Sequence, residues 1–557
     1  MYYRGRTISR FGKAQPATAQ PFSIPSSSGG INSLDNLMLM APTDCLVCHN
    51  LMPAEYGMQL RRGYTEWANN TSTDPGVIVN PVNTLIGFAG QQDNASAKKL
   101  WAVTEEGLWN VTNSGTTAPV QDVVFTPPPG VPGGGFGTYI EVTNDANRRF
   151  LQYADEANGL WQYSEQFGTW ESPATLAATI TGLDPADVAF VTNWKNRIWY
   201  VLRNSGDAYY LAPGAIAGAA SKFVFGAKFQ HGGELKALYS WTVDGGIGVD
   251  DLLIAVSRGG DVLVYKGSDP GSVDNFALVG SWYVGELPES RRIGLAVGGE
   301  LYLLSTGGIV NCRDLLKGVE TTEAASTYSP TAKISRYLRP VMTQFKSSRV
   351  WNMAIYPADG FLQIIAPYSF DNAQTQYCQN LLTKAWGLWD GVPVNCAVSW
   401  NGKYLIGAPD GRVWDYDGVL DGTELPGEGA LAGGPVQFDV LTSFQPIAEG
   451  YALNCTVDML RAVGVTQGEL NLKLEAVYDY QFPYDTVPPP IVPTLSGALW
   501  DVALWDDAEW PGGNTSRSVT QGASGIGRVV AISMSGSASS RVTFAGWDGL
   551  YRKGGFL

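Results

Sequence analysis

A chain of 557 residues is too long for one ordinary hydrophobic core, so two or three packing units are expected. Lys and Arg number 37 against 52 Asp and Glu, and the net charge of −15 argues against a protein that grips nucleic acid through many phosphate contacts. Abundant Gly (66), Pro (32) and aromatic residues describe strands cut by turns, and no apolar run of about 18 residues offers a membrane-spanning helix or anchor.

The first 34 residues carry Arg4, Arg6, Arg10 and Lys13 and no acid, a net +4; Asp35 is the first carboxylate. No apolar stretch follows these bases, so a Sec signal peptide is not expected, and the six cysteines should remain thiols. Residues 1–34 read as an extended basic arm. Deleting residues 1–28 is expected to leave the monomer folded and to weaken assembly. Residues 35–80 read as a strand segment joining the arm to the central region of the chain.

Inside that segment, Cys45-Leu-Val-Cys48-His49 has the spacing of a c-type haem attachment site. The surrounding pattern is β, and the only other histidine is His231. A zinc site would need a fourth ligand, and no second close Cys/His pair supplies one. Two small apolar thiols on a half-buried strand are expected, with no cofactor and no metal.

Residues 81–425 repeat a theme of β-run, short polar turn and second β-run. Instances start at Leu100, Phe150, Ile198, Leu252, Leu301, Phe361 and Tyr404. Their spacing of roughly 40 to 60 residues is near the period of a four-stranded propeller blade. The fold expected is all-β: a propeller of six or seven blades, with a pair of unrelated sandwiches as the alternative. A Gly-rich connector then leads into residues 426–557, which read as a C-terminal β-sandwich or barrel-like module interrupted by a Pro-rich stretch after Phe482.

Other motifs favour plain readings. Ser164-Glu-Gln-Phe-Gly-Thr-Trp170 resembles an Asp-box turn, but Gln166 stands where Asp is required. Asp415, Asp417 and Asp421 lack the Gly and Glu positions of a calcium loop. Ser524-Gly-Ile-Gly527 precedes a strand pattern, whereas a phosphate cradle opens a helix. With two histidines in the chain no catalytic constellation stands out, so no catalytic residue is assigned and the chain reads as a non-enzyme.

Two stretches carry a resemblance. Gly29-Gly-Ile-Asn-Ser-Leu-Asp35, then Ala41-Pro-Thr-Asp44 and Leu60-Arg-Arg-Gly-Tyr64, resemble the opening of tail nozzle proteins of short-tailed bacteriophages, also called tail tubular protein B or packaged-DNA stabilisation protein. The region with Trp500, Trp505 and Trp510, followed by Gly525-Ile-Gly-Arg528 and Gly554-Gly-Phe-Leu, is similar to the end of these proteins. One departure is that Cys45-Leu-Val-Cys-His49-Asn50 replaces an apolar strand ending in Asp-Asn.

The resemblance implies a virion tail protein, assembled in the host cytoplasm into a ring of six copies. It would sit below the portal and adaptor and beside tail fibres or tailspikes. Such a ring retains packaged double-stranded DNA and passes it during ejection. Two rival readings stay open: a glycan-binding or glycan-cleaving tail propeller using exposed Trp386 and Trp389, and a cytoplasmic propeller scaffold unrelated to viruses.

Overall fold

The computed structural model describes residues 18–68, 78–91, 97–115, 117–126, 133–244, 249–272, 274–316, 332–368, 374–425, 431–448, 453–466, 468, 470–482 and 515–554. Seven antiparallel blades occupy the middle of the chain among these residues; five are separate sheets, and the last two run on into a sheet of the sandwich. Blade 1 starts at Thr84–Phe88, blade 2 at Thr138–Thr143, blade 3 at Val188–Trp194 and blade 4 at Leu235–Asp244. Blades 5, 6 and 7 start at Gly294–Val297, Asn352–Tyr356 and Cys396–Trp400. Each of these first strands packs against the first strand of the next blade, and that of blade 7 packs against that of blade 1. The sheets therefore close into a ring around an axis, which is the all-β propeller expected.

Turn chemistry sets the register within blades. Lys195 and Asn196 have φ of 48° and 57°, and Asn401 and Gly402 have φ of 49° and 78°. Two-residue loops with positive φ match the right-handed twist of the flanking strands, and Asn and Gly tolerate that conformation. Six of the hairpins read from the sequence are the second and third strands of their blades, such as Arg149–Asp155 with Gly159–Ser164; the run starting at Phe361 holds the second strand of blade 6, and the third is Thr375–Asn380.

Aromatic side chains fill the wedges between blades. Phe88 and Trp101 of blade 1 meet Tyr163 and Trp170 of blade 2. Trp194 and Trp199 of blade 3 meet Phe276 of blade 4. A wedge widens outward, and one large ring spans it where several aliphatic groups would be needed.

Blade 7 is completed from the other end of the chain. Its strands Cys396–Trp400, Lys403–Gly407 and Val413–Gly418 take Gly63–Glu66 as their fourth, antiparallel to Val413–Gly418. Ring closure is thus made by hydrogen bonds between segments some 350 residues apart. Loop closure over such a length costs entropy that only the finished ring repays.

The sandwich also draws on both ends. In one sheet Val542–Lys553 is central, flanked by Cys455–Thr466 and by Gln20–Pro25 and Gly57–Leu60. In the other, Gly434–Thr442 lies between Asp44–His49 and Val530–Ala538, with Leu470–Tyr478 beyond. This corrects two expectations. Gln20–Pro25 and Gly30–Ile31 are strands of the sandwich rather than part of a free arm, with Ile24 and Ile31 buried in its core. Residues 35–80 are more than a joining segment, since they supply sandwich strands and the closing strand of blade 7. The module read from residues 426–557 alone is half of a unit whose other strands precede the propeller.

The longest of the helices among the described residues departs from the all-β expectation. Ala332–Gln344 follows blade 5, which has three strands among the described residues. Ile334, Leu338 and Met342, four residues apart, form a fully buried stripe. The helix packs against Gly308–Asn311, the outer strand of blade 5, while Tyr337 Oη donates to Leu46 O of the sandwich (3.0 Å). It acts as a spacer between blade and sandwich.

Candidate functional site: the closing seam and the axis

The strand Asp44–His49 contains a bulge at Leu46, since Cys45 opposes Thr442 and Val47 opposes Leu441. Residues three apart on a regular strand face opposite ways. The bulge restores Cys45 and Cys48 to one face, where both are fully buried in the sandwich core. Burial pushes the Cys45 thiol well above its ordinary pKa. His49 lies outside that core and its Nδ1 pairs with Asp390 of blade 6. The three residues of the haem-like spelling therefore serve different neighbours.

Asn50, next in the chain, takes a left-handed φ of 58° and acts as a hub. Its N–H donates to Leu388 O (2.7 Å), and its Oδ1 accepts from Asp390 N (2.8 Å) and Arg61 Nε (2.7 Å). The Arg61 side chain is 1% exposed and forms a two-pronged pair with Asp421. Arg62 pairs with Asp359 (2.6 Å) and Asp417, and Tyr64 Oη donates to Gly391 O (3.1 Å). Gly63 leaves no room for a side chain: a Cβ there would lie 2.1 Å from Leu420 O. These four residues lock the closing strand while holding sandwich and propeller together.

The first motif makes a second knot. Asn32 Nδ2 donates to Asp35 Oδ2 (2.8 Å) and Asp44 Oδ2 (2.6 Å), while its Oδ1 accepts from Leu34 N and Asp35 N. Lys333 from the helix bonds both oxygens of Asp44 at 3.0 Å. Gly29 and Gly30 pass so close to Asp44 and to the Trp386 backbone that a Cβ would fall within 2.5 Å of either.

Around the axis lies a charged cluster that sequence reading missed. Lys236, fully buried, pairs with Glu234 (3.0 Å), Glu289 (3.1 Å) and Glu156 (3.7 Å). Arg291 bonds Glu156 (2.6 Å) and Glu234 (3.5 Å), and Arg349 reaches Glu156 at 3.1 Å. Burial pushes the Glu156 carboxyl up, but Arg291, Lys236 and Arg349 outweigh it and hold it below its ordinary range. Next to the cluster, the first strands of the blades and the segment around Arg292 line a cavity of about 300 Å³ that opens to solvent. A second cleft, of about 320 Å³, lies between the sandwich and blades 6 and 7 beside Arg62 and Trp389. Nothing local in Ser290-Arg-Arg292 separates these arginines from surface bases, because their acids come from other blades.

The remaining sequence candidates are dispersed. Trp386 and Trp389 are each 1% exposed and packed in the core, so they do not offer the faces to a sugar that the rival glycan reading would use. Asp415, Asp417 and Asp421 each have a basic partner, Lys403, Arg62 and Arg61 respectively, so the three acids diverge. His231 pairs with Asp261 (2.7 Å) at the rim of blade 4, far in the chain and in the ring from His49. Residues 164–169 form a turn between two strands of blade 2, and 524–527 lead into a strand. Trp500, Trp505 and Trp510 lie outside the described residues. Among the described residues no group of three or more His, Cys, Asp or Glu is placed to hold a metal ion.

The pairing and ring closure define a class: an all-β propeller protein with a sandwich built from both chain ends. No protein-family model matches the chain, and neither does any curated protein sequence. Solved structures are similar at low identity. The extracellular domain of a hybrid two-component system from B. thetaiotaomicron is 10% identical, covering 77% of this chain and 56% of that one, with a TM-score of 0.38. PorZ of Porphyromonas gingivalis, a surface component of the type-IX secretion system, is 12% identical over 70% of this chain and 44% of its own, with a TM-score of 0.34. The Swd1 β-propeller domain from Myceliophteria thermophila is 11% identical over 62% and 98%, with a TM-score of 0.34.

Proposed function

We propose that this chain is a subunit of the tail nozzle of a short-tailed bacteriophage, a ring that retains packaged DNA and forms the channel for its ejection. One observation carries the reading. The N-terminal residues that resemble the nozzle pattern, Gly29, Gly30, Asn32, Asp44, Arg61, Gly63 and Tyr64, occupy the seam that closes the propeller and seats the sandwich on it. Positions of that kind admit few alternatives, because they need a missing side chain or a buried bidentate cation.

Charge agrees with passage of a polyanion. Each Lys or Arg on a phosphate adds a counterion-release gain and would act as a brake on sliding DNA. A subunit with a net charge of −15 builds a wall that repels rather than clasps. The partners this reading implies are further copies of the chain in a six-fold ring, the adaptor and portal on one side, and fibres or tailspikes outside.

Negative-stain imaging of virions treated with antibody to the purified protein tests the proposal. Label concentrated on the tail is the expected result. Label absent from the tail would reject it.

A further inference from the structure

We propose that the axial cavity of the propeller binds one small monocarboxylate, with Arg292 as its counter-charge. Arg292 is 8% exposed. Its Nη1 donates to Asn83 O (2.7 Å) and Thr84 Oγ1 (3.2 Å), and its Nη2 to Arg349 O (3.4 Å). Its Nε is buried with no hydrogen-bond partner. Arg291, its neighbour in the chain, has Glu156 and Glu234, but no described carboxylate pairs with Arg292. Asp155, a buried acid of blade 2, accepts instead from Tyr153 Oη, Gly135 N, Ala157 N and Asn158.

A guanidinium removed from water without an anion is costly, and carbonyl dipoles offset only part of that cost. The face of Phe136, 5.6 Å from the guanidinium carbon, adds a cation–π contact and leaves the net charge unchanged. Burial accordingly works against the protonated form of this side chain. The missing component is negative.

The cavity beside Arg292 limits what that component is. Its volume of about 300 Å³ would hold about ten waters at liquid density or one small organic acid. Thr84, Thr138 and Asn352 supply polar groups on its wall, and Leu85, Ile140 and Met353 supply apolar ones. A wall of both kinds fits a carboxylate head on a short hydrocarbon tail better than an inorganic ion. One uncompensated cation calls for a single negative charge, since a dianion would bring an unpaired charge of its own. A DNA duplex is far too large to enter, so this site is independent of the nozzle reading.

Calorimetric titration of the full chain with butyrate, acetate and nitrate tests the inference. The expected result is saturable one-to-one binding of butyrate, tighter than acetate, with nitrate weaker than both. Arg292→Gln should weaken butyrate binding by at least about tenfold, because a charge-assisted hydrogen bond is lost. Thr192→Phe, which fills the cavity from blade 3 and leaves Arg292 in place, should also abolish it; circular dichroism checks that each variant folds. Absence of saturable butyrate binding to the unaltered chain up to about 100 mM overturns the proposal, since a site that weak would add no stability to the fold. Nitrate matching butyrate overturns it equally, by leaving an unspecific ion site. Binding that survives both substitutions does the same.

Discussion

Arg61 and Asp421, 360 residues apart in the chain, meet through two parallel hydrogen bonds of 2.7 Å, Nη1 to Oδ1 and Nη2 to Oδ2. The remaining Arg61 donors go to Asn50 Oδ1 and to the carbonyls of Arg62 and Asp390, so every side of the guanidinium is engaged. The pair sits where the first segment of the chain passes from sandwich to blade 7. Arg61→Ala should cost about 3–5 kcal/mol, the usual result of stranding one partner of a buried pair. Urea denaturation measures it, and Arg61→Lys should restore little because an ammonium cannot span both oxygens. A loss within experimental error for Arg61→Ala would refute the role.

His49 and Asp390 make the seam sensitive to pH. Burial works against a charged His49, yet the hydrogen bond and field of Asp390, with the field of cross-strand Asp439, raise its pKa overall. Burial likewise pushes Asp390 up, and His49, Thr375 and Arg61 outweigh it and lower its pKa. The histidine's contribution is fully present below its unfolded pKa, about 6.5, and fades as pH rises through the elevated folded value. That of the aspartate is present above about 3.9 and fades as pH falls through the depressed folded value. The melting-temperature gap between the unaltered chain and His49→Gln should therefore be widest between about pH 4 and 6.5 and narrow toward pH 9. A gap independent of pH would show that the pair is not ionised as argued.

Gly63 tests ring closure directly. Alanine at this position would drive its Cβ into Leu420 O at the start of the closing strand. Gly63→Ala should lower stability by about 1–3 kcal/mol, the range for overpacking at a rigid contact. It should also open blade 7 to limited proteolysis near residues 60–68. Cleavage at the parent rate, with an unchanged melting temperature, would mean that the strand can shift to accommodate the methyl group.

The N-terminal deletion now carries the opposite expectation from the one composition suggests. Gln20–Pro25 pairs along its whole length with Val542–Lys553, Ile24 is buried, and Phe22 packs edge-on against Tyr551. Removing residues 1–28 strips that strand and exposes an apolar sheet edge. The truncated chain should melt at lower temperature and associate nonspecifically in light scattering. Monomeric behaviour with an unchanged melt would restore the reading of a free arm.

Local signals made the blades legible. A blade's second and third strands are consecutive, alternate in polarity and share a tight turn, so each announces itself within about 15 residues. The helix Ala332–Gln344 escaped because Lys333, Arg336, Arg339 and Pro340 disguise an apolar stripe that shows only at helical spacing. Cys45 and Cys48 were correctly placed on a strand, but the bulge that turns both inward has no sequence mark. Arg292 could not have been singled out at all, since its isolation depends on which blades fail to supply an acid.

Sequence by itself determined the strand-rich composition, the repeat that makes blades and the turns that set their registers, because those depend on neighbours a few residues away. Tertiary structure alone decided which strand completes blade 7, that both chain ends share one sandwich, and which charges meet at the seam and axis. These are pairings across hundreds of residues. Their energy appears only when the ring is closed, and no local stretch of chain carries a record of it.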